Sequence, residues 1–226
     1  MRIWMALACV ATLSACANDT GTDNSLAEVA SAAYSAPGPK SLTLMTMVNN
    51  RSGNGGHTAL VVNGSQQVIF DPAGSFRDPR VVERGDVLYG MSPKWIQAYK
   101  SAHARSTFHV ISQTVPVSDA QAEQVLKLVM ANGQVPGAYC ANSTSALLSQ
   151  IPGFEGISKT FYPVSLSEQF GSLPNVSTDK YYENDDGDVI DAVRAGQLSQ
   201  QPQETVQGPG PANNRQQNVL GKNANG

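Results

Sequence analysis

Gly56-His57-Thr58-Ala59-Leu60-Val61-Val62-Asn63-Gly64-Ser65-Gln66-Gln67-Val68-Ile69-Phe70-Asp71-Pro72 decides the fold. His57 to Val62 and Gln66 to Phe70 are runs rich in residues that favour strands. Asn63-Gly64 between them is a dipeptide that tolerates the positive φ of a tight hairpin turn. The two runs are therefore expected to pair antiparallel, with Asp71-Pro72-Ala73-Gly74 ending the hairpin as a turn.

Working outward, Ser41 to Val48 alternates weakly and reads as another strand, followed by a Gly/Asn loop over Asn49 to Gly56. Downstream, Pro93 to Ala102 reads as a helix with Ser92 as N-cap and Pro93 at its first position. Trp95 and Tyr99 lie four apart on it, as core or cleft packing or as an aromatic wall facing a substrate. Thr107 to Val117 is a long strand. Ser118 caps the next helix, with Gln121 three residues later completing a capping box. Ala122, Val125, Leu126 and Val129 share one face of that helix, which ends near Asn132-Gly133. A further helix starts at Cys140 and stops near Pro152-Gly153, and Ser165 to Phe170 forms a short one. Strands and helices mix without βαβ regularity, and no internal repeat is present, so the expected class is α+β over Ser41 to Asn175.

The flanks read differently. Met1-Arg2 and the apolar Ile3 to Leu13 have the layout of a secretory signal, too short to span a bilayer. Leu13-Ser14-Ala15-Cys16 resembles a bacterial lipoprotein lipobox. The resemblance implies cleavage before Cys16 and acylation of its sulfur (palmitate and related chains), anchoring the protein to a membrane. Ala17 in the next position implies the outer membrane, facing the periplasm. Ala17 to Lys40 is small and polar and is expected to be a flexible tether, with a reach of roughly 25–30 Å. Residues 176–196 are expected to be an acidic linker or a short helix with Asp188 as N-cap. Residues 197–226, rich in Gln, Asn, Gly and Pro, carry almost nothing to bury and are expected to be disordered. A formal charge of −3 gives no basic footprint for nucleic acid.

With Cys9 and Cys16 belonging to the signal region, Cys140 is the single thiol of the exported domain. It is either a small buried hydrophobe or a reagent. Its place at a helix start favours the reagent, because the helix N-terminus stabilises a thiolate. A thiol nucleophile needs a base, and that base an orienting group. His57 opens a strand after the Gly53–Gly56 loop and could reach a cleft edge. His103, in a polar stretch at a helix end, reads as a solvated surface residue. His109, in mid-strand, reads as a satisfied core or surface histidine. Asn184 to Asp188 lacks the ligand spacing of a calcium loop. Cys140 and the histidines lack paired zinc spacing. Gly53-Asn54-Gly55-Gly56 lacks the lysine of a phosphate loop. No metal or cofactor is implied.

The order Gly56-His57-Thr58-Ala59-Leu60-Val61-Val62, then Val68-Ile69-Phe70-Asp71-Pro72, then Val115-Pro116-Val117, then Tyr139-Cys140-Ala141-Asn142-Ser143 resembles the circularly permuted branch of the NlpC-type papain-like hydrolases. That branch includes the lecithin:retinol acyltransferase-like proteins. The resemblance spans Ser41 to Leu166. It implies a papain-like antiparallel sheet packed on helices, with Cys140 as nucleophile at a helix N-terminus and His57 as general base. The third polar residue is best matched by Asp71, although many acyltransferase-like members carry a second histidine in that region. Asp71 before Pro72 can equally be a turn former. The backbone N–H of Cys140 would contribute to an oxyanion hole. The implied activity is cleavage of an amide or ester through an acyl-enzyme, with peptidoglycan peptides favoured as substrate. A lipid-directed acyl hydrolase or acyltransferase of the same fold is the alternative. A non-catalytic envelope binding or assembly lipoprotein with a buried Cys140 is another.

Overall fold

The computed structural model describes residues 23–184 and 186 of the 226. The signal and lipobox with Cys16, the N-cap assigned to Asp188 and the tail over 197–226 lie outside the described residues. The elements run α1 (Leu26–Ala32), β1 (Ser41–Asn49), β2 (Gly55–Asn63), β3 (Gln67–Phe70), β4 (Glu83–Arg84), β5 (Val87–Leu88), α2 (Pro93–His103), β6 (Phe108–Pro116), α3 (Asp119–Asn132), α4 (Cys140–Leu148), α5 (Pro163–Gly171) and β7 (Ser177–Tyr181). The class is α+β. A seven-stranded sheet of order β4-β5-β3-β2-β1-β6-β7 is antiparallel at every pairing. Among the described residues no helix is long and apolar enough to cross a membrane.

Alternation along the central strands sends side chains to two cores. Leu42, Leu44, Leu60, Val62, Val68 and Phe70 face one side of the sheet, beneath α3, α4 and α5. Met45, Met47, Ala59, Val61 and Ile69 face the other, beneath α2 and the Phe76 segment. Period-2 alternation with apolar residues at both parities is what a strand buried on both faces requires. The α3 stripe behaves as its spacing predicts, with Ala122, Val125, Leu126 and Val129 all buried and the Ser118–Gln121 capping box formed at its start.

The Asn63-Gly64 turn is one residue longer than a two-residue hairpin. Asn63 pairs with Gln67, so Gly64, Ser65 and Gln66 form the connection. Contacts from neighbouring elements hold this longer loop. Glu123 on α3 accepts from the N–H and hydroxyl of Ser65, and Lys40 Nζ donates to the Gly64 carbonyl at 2.7 Å.

Two segments expected to be linkers are parts of the fold. The described part of the tether forms α1, capped by a Ser25–Glu28 box, with Val29 buried in the larger core. The chain then pairs its backbone with the domain, Asn24 N–H donating to the Glu83 carbonyl and Gln67 N–H to the Tyr34 carbonyl. At the other end, Ser177–Tyr181 of the presumed acidic linker is the edge strand β7, in register with β6 from Val110↔Tyr181 to Thr114↔Ser177. Both escaped detection because backbone pairing, not a stripe of apolar side chains, fixes them. β7 is almost entirely exposed, as suits an edge strand carrying Asp179 and Lys180.

Val29→Asp should lower the unfolding free energy by at least about 2 kcal/mol, since a carboxylate cannot be solvated in that core. A urea midpoint unchanged by the substitution would show that the N-terminal strap does not dock in solution.

Candidate active site

The site lies where β2 begins, at the end of the sheet. Tyr139 takes a bridge conformation, φ −99° and ψ 9°, and Cys140 opens α4. The thiol is nearly buried. As the first residue of a helix, Cys140 has an N–H with no partner inside that helix. The Thr58 and Ala141 N–H groups donate to its sulfur, and His57 hydrogen-bonds it from the side.

His57 sits in β2 opposite Met47, beside a register shift between Met47 and Val48. The chain leading to it runs close to α5. A Cβ on Gly55 would come 2.6 Å from Cβ of Pro163, so only glycine allows this approach. His57 Nε2 lies 2.6 Å from Asp71 Oδ1, which by elimination leaves Nδ1 for Cys140. The thiol of Cys140, the imidazole of His57 and the carboxylate of Asp71 are thus brought together in one place.

Asp71 does both things its sequence context allows. Its carbonyl accepts from Gly74 N–H at 2.9 Å, closing a turn with Pro72 and Ala73 at the corner and Ala73 at φ 56°. Asp86 holds that turn, accepting from Ala73 N–H at 2.9 Å. Its own carboxylate meanwhile turns inward, almost fully buried, onto His57. The turn leaves no room at residue 74. A Cβ there would lie 1.9 Å from Asp71 Oδ2.

Two further groups complete the arrangement. Tyr99, fully buried on α2, donates its hydroxyl to Asp71 Oδ1 at 2.6 Å, the same oxygen that holds His57. His103, one turn later, lies tilted against the Tyr99 ring at 4.3 Å and stacks 6.0 Å from His57. It is packed against the site rather than solvated at the surface, because α2 turns this face to the sheet. Burial lowers its pKa to about 4 against the pull of the Asp71 charge, so it is neutral at pH 7. A neutral ring placed 2.8 Å from the Tyr99 carbonyl carries its proton on Nδ1. The Trp95, Tyr99, His103 spacing of four was the legible signal for this face. His109 is structural, hydrogen-bonded through Nδ1 to Asn50 at 2.7 Å and stacked on Tyr182.

The electrostatics follow from the contacts. Burial pushes the His57 pKa down, but the Asp71 charge and hydrogen bond outweigh it and raise it to about 10. Burial pushes Asp71 up, and the imidazolium pulls it below the ordinary carboxylate range. Burial likewise raises the Cys140 thiol, and hydrogen bonding and charge from His57, with the Thr58 and Ala141 N–H groups, bring it below its usual value. The combination favours a thiolate–imidazolium pair. Among the described residues no group of His, Cys, Asp and Glu is arranged to hold a metal ion. Compared with family models, curated proteins and solved structures, the chain finds no match.

Gly74→Ala should displace the Asp71 carboxylate and slow alkylation of Cys140 at pH 7 by at least about tenfold, because the base loses its orienting charge. Labelling at the wild-type rate would mean that Asp71 does not control the dyad.

The pair also sets a pH dependence of stability. A raised imidazole contributes stability that is complete below its unfolded value of 6.5 and lost as pH rises toward about 10. A lowered thiol contributes stability that is present above its unfolded value of 9.0 and lost as pH falls. Between pH 7 and 9 the two oppose each other, since folding places a proton on His57 and removes one from Cys140. Cys140→Ala should therefore steepen the loss of stability across this range, toward a limit of about 1.4 kcal/mol per pH unit. Urea midpoints at pH 7, 8 and 9 measure it, and equal slopes for the two proteins would contradict the ion pair.

Proposed function

We propose that this protein is a thiol hydrolase of the permuted NlpC-type papain-like kind, cleaving an amide or ester through a Cys140 acyl-enzyme. The observation that carries this reading is the convergence of Cys140, at the first position of a helix, with a His57 imidazole held 2.6 Å from the buried Asp71 carboxylate and close enough to lower the thiol's pKa. A merely structural thiol has no need of a base that is itself oriented by a buried carboxylate.

The chemistry follows from these groups. The Cys140 thiolate attacks the carbonyl carbon, forming a C–S bond and moving the π pair onto oxygen. The N–H of Cys140, without a partner inside its helix, is the donor we assign to that developing charge. As the tetrahedral species collapses, the C–N or C–O bond breaks and the leaving group takes the proton held by His57. The neutral imidazole then accepts a proton from water as that water attacks the thioester. Collapse expels the Cys140 thiolate, and the proton remains on His57. Asp71 keeps the imidazole oriented and balances its charge throughout, and Tyr99 holds the carboxylate in place.

The export and lipobox pattern supports an envelope address with Cys16 as anchor, and hence a peptidoglycan peptide as substrate. The pH dependence of iodoacetamide labelling tests the catalytic core of this reading. Fast labelling of wild type should persist to about pH 6, well under the ordinary thiol range, and collapse in His57→Ala. Slow labelling that the substitution leaves unchanged would make Cys140 a structural thiol and remove the enzyme reading.

A further inference from the structure

Beside the thiol, a groove of about 360 Å³ runs between the C-terminal end of α3 and the outer face of α4. That volume falls within the roughly 300–1,000 Å³ of small-molecule sites. Its head is Tyr139, the residue before Cys140, so the groove starts one residue from the thiol in sequence and follows the outer face of the same helix. None of the side chains lining it is charged. Its polar walls are side-chain amides and a hydroxyl: Asn132, Gln134, Asn142, Ser143 and Gln150. Ser143 Oγ and Asn132 Oδ1 approach to 3.4 Å across it. Leu128 and Leu147 contribute apolar surface. Tyr139 is 45% exposed, with its ring held edge-on to Phe161 at a centroid distance of 5.1 Å.

We propose that this groove binds an uncharged saccharide, the glycan portion of the substrate, with Tyr139 as the stacking platform. Functionally this rests on the thiol-hydrolase reading and names the part of the substrate held beside the scissile bond. Three observations select the occupant. An anionic peptide or a phosphate headgroup would find no counter-charge among the lining side chains. An acyl chain would strip water from five amide and hydroxyl groups without replacing their hydrogen bonds. An extended peptide pairs best with a free sheet edge, whereas the walls here are two helices and the loop that joins them. Amides supply donors and acceptors together, which suits hydroxyl and N-acetyl groups. An aromatic face, negative at its centre, suits the polarised C–H face of a pyranose.

Calorimetric titration of the full-length protein with chitotetraose, a neutral N-acetylglucosamine tetramer, tests the proposal. Saturable binding should weaken about tenfold in Tyr139→Ala, the loss of one stacking contact with its buried area. It should also weaken in Gln134→Ala, an exposed loop position whose truncation leaves the fold intact. Non-saturable binding, or binding that neither substitution changes, would overturn the proposal. So would preferential binding of the blocked peptide N-acetyl-trialanine amide. Iodoacetamide labelling of the same samples separates the two readings. Fast labelling without saccharide binding rejects the glycan alone, and saccharide binding with slow labelling rejects the catalysis alone.

Discussion

One buried carboxylate oxygen organises the site. Asp71 Oδ1 accepts from both His57 and Tyr99, each at 2.6 Å, in a place almost without solvent. An unpaired carboxylate there would cost several kcal/mol, so the charge persists only because an imidazolium and a phenol compensate it. The dependence is mutual. His57 holds its proton because Asp71 is ionised, and the imidazolium lowers the pKa of Cys140 in turn. Tyr99 shares Oδ1 with His57 and fixes the carboxylate, whose Oδ2 is buried without a hydrogen-bond partner among the described residues. His103 seals that side without adding charge, because it is neutral where it sits. A cationic His103 would compete with His57 for the same carboxylate.

The fold makes this arrangement possible by placing it at the sheet's end. The two faces of β2 look into different cores, α4 above one and α2 above the other. A helix N-terminus from one layer and a tyrosine from the other can meet only where the strand begins and the layers no longer separate them. There Thr58 N–H is free to turn toward the sulfur, and Gly55 lets α5 close over the approach. The Asp71 turn, tied down by Asp86 and emptied of side chain at Gly74, then aims the carboxylate back along the sheet.

Much of this was legible from residue order. The hairpin, the α3 stripe and its cap, and the Cys140 helix follow from periodicity and turn chemistry, which act over a few residues. The pairing of Cys140 with His57 follows from the logic of a single thiol outside the signal-like segment and from family resemblance. What stayed hidden depends on contacts distant in sequence. α1 has one buried apolar residue, Val29, and β7 has none, so neither carries a stripe to read. Tyr99 and His103 do lie on one face of α2, but nothing local reveals that this face is turned toward Asp71, 28 residues away from Tyr99 in sequence. Asp71 itself was ambiguous because backbone turn formation and side-chain orientation use different atoms. The structure uses both.

The neutrality of the groove beside Cys140 follows from the same electrostatics. The thiolate and imidazolium are held at shifted protonation states by partners within hydrogen-bond reach, and both charges sit in a weakly screened interior. A lysine or glutamate along the first turns of α4 would add a charge to the field of this pair and shift the thiol relative to its base. That flank offers only dipoles and surface: amides, a hydroxyl and a ring. An ion pair held by so few partners is perturbed least where its surroundings carry no further charge, and the α4 face from Tyr139 to Gln150 has that character.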